Sequence, residues 1–373
     1  MPRARVAPRP RSLSDRLLVW FDEEARDLPW RRTRDPYAIL VSEIMLQQTR
    51  VETVIPYYER FLRTYPTVAA LARASIDDVL KLWEGLGYYR RAHNLHGAAR
   101  VIVALHGGRV PEDRASLRAL PGIGPYTAAA VASIAFGGDE PVLDGNVIRV
   151  VSRLFRVEGD AARAATRRVL EERARSLVPA GRSGAFNEAL MDLGARVCLA
   201  RAPRCADCPV AGDCAARRDG DPTRFPERAA RRPVPHRDVV AGVIWERAAG
   251  SGRRGRKLLL AQREAGDMLG GLWEFPGGTV EAGETLEGAL ARELREELGI
   301  KVDSFEPLVT VEHAYTHFRM SLHVFHCRHA GGRPRAIACA DFAWILPREI
   351  ERYALSTADR RVARALLASN DAG

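Results

Sequence analysis

Two carboxylates in the first half of the chain sit in settings that push their protonation in opposite directions. Glu43 is the only charge between Tyr37 and Arg50, so desolvation should raise its pKa and make it a general acid at neutral pH. Asp144, in Pro141-Val-Leu-Asp-Gly-Asn-Val147, stands at the N-cap of a following helix, where backbone N–H groups and the dipole should keep it ionised. Taken singly, a helical Glu and an N-cap Asp are ordinary structural residues. Together they have the asymmetry that glycosidic cleavage requires, one carboxyl protonated and one anionic.

Leu120-Pro-Gly-Ile-Gly-Pro-Tyr126 separates two helical patterns. Gly122 and Gly124 permit a tight hairpin whose backbone N–H groups can face a phosphate, a sequence-independent clamp on DNA. Cys198, Cys205, Cys208 and Cys214 follow C-x6-C-x2-C-x5-C. Four thiols so close in sequence read as a metal site, and both zinc and a [4Fe–4S] cluster suit them. Arg196, Arg201 and Arg204 crowd that loop, so the metal is expected to shape a basic DNA-facing surface. Cys327 and Cys339 stand apart and read as plain buried thiols. In the second half, Glu293, Glu296 and Glu297 fall at i, i+3 and i+4 on one helix face, donors that suit Mg²⁺ on a diphosphate.

The elements that must position these groups divide the chain. Tyr37, Leu40, Val41, Ile44 and Gln48 keep helical spacing and Ile39 and Leu46 cover another face, which predicts a helix buried nearly all round. Further helices are predicted near 51–64, 76–84, 90–105, 126–136, 146–155, 164–177 and 185–197. Residues 221–237 carry four prolines and many charges, the composition of a linker. Beyond it Val239–Trp245 and Lys257–Arg263 read as strands joined by a Gly/Arg-rich loop at 249–256. Met320, Leu322 and Val324 alternate as another strand, and 285–298 reads as one strong helix. The expected architecture is multidomain: a basic arm at 1–14, a mostly α domain at 15–220, the linker, and an α+β domain at 238–370.

Composition agrees. The chain has 373 residues, 46% of them hydrophobic, enough for large cores, and 57 basic against 47 acidic residues leave +10. That surplus suits an anionic partner such as nucleic acid. No apolar run approaches a membrane span, and the arm has no secretory h-region. An intracellular, cytoplasmic setting is expected.

The hairpin, Leu143-Asp-Gly-Asn-Val147 and the four cysteines resemble the helix–hairpin–helix superfamily of base-excision DNA glycosylases. Leu28-Pro-Trp-Arg31, Ser42-Glu-Ile-Met-Leu-Gln-Gln-Thr49 and Trp83-Glu-Gly-Leu-Gly-Tyr-Tyr89 narrow the likeness to the A/G-specific adenine DNA glycosylases, the MutY family. The resemblance implies that Glu43 protonates adenine and Asp144 stabilises the sugar. It implies that Tyr126 bonds near Asp144 and that Asn146 orders water or the carboxylates. It places Trp30, Arg31 and Glu188 around an extruded adenine, and Gln48 and Tyr88 as wedges in the base stack. It implies a structural [4Fe–4S] cluster and a DNA partner carrying adenine opposite 8-oxoguanine or guanine. It also implies a bacterial, nucleoid-associated monomer without membrane attachment. Related glycosylase/lyases carry a nucleophilic Lys where this chain has Tyr126. The only lysines here are Lys81, Lys257 and Lys301, so no Schiff base is expected.

Residues 278–300 match the full Nudix box, G-x5-E-x7-R-E-U-x-E-E-x-G-U with U aliphatic, and Leu272-Trp-Glu-Phe-Pro-Gly-Gly278 before it looks like a MutT-type nucleotide hydrolase. In the adenine glycosylases this domain reads 8-oxoguanine and its box is usually eroded. The family's reader motif, Phe-Ser-His, is matched in part by Tyr315-Thr316-His317. The domain is therefore expected to read the oxidised base, either with its acidic helix left from ancestry or with hydrolysis of a nucleoside diphosphate derivative, such as oxidised dGTP, retained beside it. The alternative is a Nudix hydrolase of oxidised nucleotides fused to a DNA-binding module.

Overall fold

The computed structural model describes residues 12–227, 233–247, 255–315 and 317–371. Most of the basic arm, part of the linker, most of the Gly/Arg-rich loop and Thr316 lie outside the described residues. Two compact units form, and they are not consecutive in sequence: one holds Met1–Ala72 and Gly97–Arg231, the other Arg73–His96 and Arg232–Gly373. The helices are α1 (Leu13–Glu24), α2 (Pro36–Leu46), α3 (Val51–Thr64), α4 (Val68–Arg73), α5 (Ile76–Trp83), α6 (Arg90–Leu105), α7 (Arg114–Ala119), α8 (Pro125–Phe136), α9 (Gly145–Phe155), α10 (Ala164–Arg175), α11 (Ser183–Arg196) and α12 (Ala215–Arg218).

In the first unit Pro36 opens α2 and the Asp35 carboxylate caps it, accepting from the Tyr37 N–H at 3.0 Å. Every residue from Tyr37 to Met45 is buried, as the all-round apolar pattern predicts. The helix stops at Leu46, so Gln48 is not on it: Gln48 is exposed in a left-handed conformation, φ 58°. α8 is equally buried and built from Ala and Ser, small enough for neighbouring backbones to close on it. α11 does so at Gly184, where an added Cβ would lie 2.6 Å from the Ser133 carbonyl oxygen. A core of Leu17, Val147, Val151, Leu170, Phe186 and Leu190 joins α1, α9, α10 and α11. Burial of such side chains contributes about 2 kcal/mol each.

The second unit is a mixed sheet. β1 (His236–Trp245), β2 (Leu258–Gln262), β3 (Trp273–Glu274), β4 (Gly277–Thr279), β5 (Lys301–Ala314), β6 (Arg319–Gly331) and β7 (Asp341–Ile345) run in the order β3-β2-β1-β6-β5, with β4 paired to β1 and β7 to β2. β1 and β6 are parallel, from His236 opposite Arg319 to Trp245 opposite Arg328. The period of two splits β1 between two cores. Val240 and Ile244 pack with Leu290, Leu294 and Leu298 of α13 (Leu286–Leu298). Ala241, Val243 and Trp245 pack with Val362 and Leu366 of α14 (Thr357–Asp371). The first strand starts at His236, inside the predicted linker. No helix among the described residues is long and apolar enough to cross a membrane.

Candidate active site and nucleic-acid interface

Glu43 and Asp144 open into one cavity of about 620 Å³ in the helical unit, although a hundred residues separate them. α2 supplies Glu43, only 4% exposed, and the phenol of Tyr126 donates to its Oε2 at 2.7 Å. Burial pushes the Glu43 carboxyl up to about 7; the carboxylates of Glu188 and Asp144 add to the rise, while Tyr126 and Arg31 oppose it. Tyr126 therefore bonds Glu43, where the resemblance had implied a bond near Asp144.

Asp144 caps α9. Its Oδ1 accepts from the Val147 N–H at 2.6 Å and its Oδ2 from Asn146 Nδ2 at 2.9 Å. Its pKa is nevertheless raised, because burial outweighs these donors and the nearby Arg149. The donors of the cap thus support the anion against a burial cost that the local sequence does not show. Asn146 is in turn held by Arg149, whose Nη2 donates to Asn146 Oδ1 at 2.8 Å and whose Nε donates to the Cys198 carbonyl at 2.7 Å.

Trp30, Arg31, Gln48, Glu188, Gly122 and Gly124 line the same cavity. Arg31 Nε meets Glu188 Oε1 at 3.0 Å, and its two Nη groups grip Asp192 at 2.9 and 3.0 Å. Asp192 is fully buried and also takes Arg26 at 2.6 Å. Burial works against the Asp192 carboxylate, but hydrogen bonds from Arg31 and Arg26 hold it below the usual range. Sequence reading missed Asp192 and Arg26, though Asp192 lies one helical turn beyond Glu188 and that spacing signals a shared face. It also missed Met191, whose sulfur lies 3.8 Å from the Tyr126 hydroxyl. Gly122, with φ 70°, makes the hairpin before α8, and the buried side chains of Leu120 and Ile123 anchor it.

Tyr88 belongs to the other compact unit. It is 43% exposed at φ 51°, a left-handed conformation that costs a non-glycine residue about 1 kcal/mol. The four cysteines line a small cleft of their own with Arg153, which donates to Cys198 Sγ at 3.2 Å. Burial pushes the Cys208 thiol up to about 11, and each of the other three adds to the rise, so the four lie within electrostatic reach of one another. Among the described residues no three His, Cys, Asp or Glu side chains converge closely enough to hold a single metal ion. The donor set fits a soft thiolate-bound group that spans the cleft.

In the second unit Glu293 and Glu297 line a cavity of about 380 Å³, but Glu296 turns to Arg292 at 3.1 Å. The helix face thus brings two of the three carboxylates together. Arg292 also holds Glu284 through bonds of 2.8 and 3.0 Å. Burial pushes Glu297 up to about 7, with Glu293 adding to the rise. Tyr315 lines this cavity too, packed on Phe318 with ring centres 5.0 Å apart. His317 is exposed, and Thr316 lies outside the described residues. Sequence reading missed the ion pair of half-buried Arg263 with buried Glu274, and the buried Asp359 that lines the same cavity.

A helical unit with a hairpin and two unlike carboxylates in one cavity defines a base-excision DNA glycosylase. Residues 41–176 match the family described as HhH-GPD superfamily base excision DNA repair protein, and residues 248–365 match the NUDIX domain. The solved structure of a thermostable thymine-DNA glycosylase is 34% identical, with a TM-score of 0.50 over 55% of this chain and 95% of its own. The adenine DNA glycosylase of Rattus norvegicus is 36% identical over 93% of this chain and 76% of its own. That of Mycolicibacterium smegmatis is 46% identical over 58% of this chain and 73% of its own. The chain belongs to the adenine DNA glycosylase family.

Proposed function

We propose that the helical unit hydrolyses the N-glycosidic bond of adenine opposite 8-oxoguanine or guanine in duplex DNA, leaving an intact abasic site. The observation that carries this reading is Glu43, buried, hydrogen-bonded by Tyr126 and with a pKa of about 7, in one cavity with the capped Asp144. Glu43 delivers its proton to the departing adenine, which leaves as a neutral base. The sugar left behind is oxocarbenium-like and Asp144 stabilises it; water then adds to the anomeric carbon to form the abasic sugar, and the proton that water releases restores the Glu43 carboxyl. Burial disfavours the Asp144 anion in the free protein, and an adjacent cationic sugar reverses that balance. Arg31 and Glu188 present donors and acceptors to the extruded base, while the hairpin N–H groups hold a phosphate. Gln48 and Tyr88 fill the gap in the stack. Tyr126 offers no amine, so no Schiff base forms and the strand stays whole.

The cysteine cleft holds a [4Fe–4S] cluster through Cys198, Cys205, Cys208 and Cys214. Bound there, the cluster supplies a structural cross-link for the arginine-bearing loop. The C-terminal unit reads the oxidised guanine with Tyr315, Thr316 and His317, and the protein acts as a monomer. Glu43→Gln tests the central assignment: adenine release from an adenine:8-oxoguanine duplex should vanish while duplex binding persists. Release that survives the substitution removes Glu43 from the acid role.

A second reading of the C-terminal unit, retained nucleotide diphosphohydrolase activity, is favoured by Glu293 and Glu297 lining one cavity. These carboxylates would hold Mg²⁺ against a diphosphate. The protein with Mg²⁺ and 8-oxo-dGTP should then release pyrophosphate or phosphate, and Glu297→Gln should not. No release from either protein leaves the reader role alone.

A further inference from the structure

The turn that carries Tyr88 is built by the C-terminal unit. Arg73–His96 and Arg232–Gly373 form one compact body, and the contacts inside it converge on Glu84, the residue that ends α5. Arg360 Nε donates to Glu84 Oε1 at 2.6 Å and Lys81 Nζ to Oε2 at 2.7 Å. Both cations also bind the Tyr353 carbonyl, at 2.9 and 3.1 Å. The Arg360 side chain is only 11% exposed and Glu84 17%, so solvent screens this pair weakly. One residue further on, the Gly85 N–H donates to the Tyr89 hydroxyl at 3.1 Å, and that hydroxyl lies 3.5 Å from the Leu355 carbonyl.

These bonds add to those the segment makes for itself, where Trp83 Nε1 donates to the Gly87 carbonyl at 3.1 Å and Arg91 Nη2 donates to the same oxygen at 3.0 Å. Gly85 has φ 91°, Gly87 φ 77° and Tyr88 φ 51°. The glycines take these angles freely, but the left-handed tyrosine is strained and persists where its surroundings hold it. The chain's own α5 supplies Lys81. Arg360 comes from the first turn of α14, nearly three hundred residues away, and is the charged partner that this distant segment gives to Glu84, beside the Tyr353 and Leu355 carbonyls.

We propose that Arg360 is a positioning residue for the wedge: by clamping Glu84 it fixes the Gly85–Tyr88 turn in the conformation that enters the base stack. The proposal rests on the glycosylase reading, in which Tyr88 is a wedge. It gives the C-terminal unit a mechanical share in opening the duplex, separate from reading the oxidised base.

The test uses the full chain and an adenine:8-oxoguanine duplex with 2-aminopurine beside the target adenine. Single-turnover adenine release is followed against protein concentration, together with the fluorescence that reports unstacking. Arg360→Ala should raise the half-saturating concentration about tenfold and weaken the unstacking signal, with the plateau rate within about twofold of the parent. Arg360→Lys should restore most of the loss, and Glu84→Gln should reproduce part of it. In a Tyr88→Ala background Arg360→Ala should add nothing further. Additive losses, or a lowered plateau with unstacking intact, overturn the proposal. If Arg360→Ala does not fold, Glu84→Gln with the Tyr88→Ala cycle decides by the same criteria. Unstacking that is unaffected by Tyr88→Ala alone is a different result, and it removes the wedge reading itself.

Discussion

Tyr126 donates its phenolic proton to Glu43 across the cavity, joining the residue after the hairpin to the centre of a helix that is apolar on every side. The bond opposes the desolvation of the carboxyl without undoing it, which leaves Glu43 near 7. A proton held that loosely at neutral pH is available for transfer, and a carboxyl at its ordinary value would already have lost it.

The pH dependence follows from that value. Adenine release should fall as pH rises through about 7, where Glu43 loses its proton, and should fall again toward acid pH, where Asp144 becomes protonated. Stability also falls with rising pH. The folded pKa lies above the ordinary glutamate value of 4.5, so the protein loses stability from about pH 4.5 up to pH 7 on account of this group. Glu43→Gln removes the penalty and should stabilise the protein at pH 8 by about 3 kcal/mol, read by urea denaturation. An equal or lower urea midpoint in the variant at pH 8 contradicts the assignment.

Tyr126→Phe separates the hydrogen bond from the rest of the site. The bond stabilises the carboxylate, so its loss should move the Glu43 pKa higher and carry the alkaline limb of the rate profile with it. The rate should fall about tenfold, because the carboxyl also loses its orientation. A profile whose alkaline limb stays in place shows that the limb belongs to another group.

Much of this arrangement was legible in the amino-acid sequence, and for identifiable reasons. Glu43 stands out as a lone charge in an apolar helix, and Asp144 precedes a run of valines at helical spacing, so local pattern alone marks both. The end of α2 was not legible, because Gln48 continues the helical spacing while its backbone has already turned left-handed. The attachment of Arg73–His96 to the C-terminal unit was not legible either. It depends on Arg360 and Tyr353 meeting Lys81 and Glu84, contacts that leave no periodic mark on either segment. The third Nudix carboxylate, Glu296, fell on the predicted face and yet does not line the cavity; Arg292 one turn earlier bonds it, as it also bonds Glu293.

Asp192 carries the base pocket from below. Its carboxylate is fully buried and neutralised by Arg26 and Arg31 together. Asp192→Asn leaves two guanidinium groups with one neutral acceptor, and breaking a buried pair in this way costs about 3 kcal/mol. The thermal midpoint should drop accordingly. Adenine release should fall further than stability alone explains, because Arg31 loses the grip that aims it at Glu188. A variant with the parent's midpoint and rate would show that Arg31 is positioned without Asp192.

Gly194 makes the least obvious contribution to Asp144. An added Cβ there would lie 2.6 Å from Asn146 Cβ and 3.0 Å from the Asn146 backbone, so α11 can approach α9 only through a glycine. Asn146 in turn donates to Asp144 Oδ2. Gly194→Ala must therefore push α9 away or displace α11, an overpacking cost of about 1–3 kcal/mol. The displaced residue is the one that supports the anion, so the rate should fall at least as far as an Asn146→Ala substitution takes it. Asp144 loses a donor in both variants, and its pKa should rise in both. The discriminating measurement is the pair in combination: Gly194→Ala in an Asn146→Ala background should add little to the rate loss while still lowering the thermal midpoint. A full additional rate loss would place the effect of Gly194 on some other residue of the pocket.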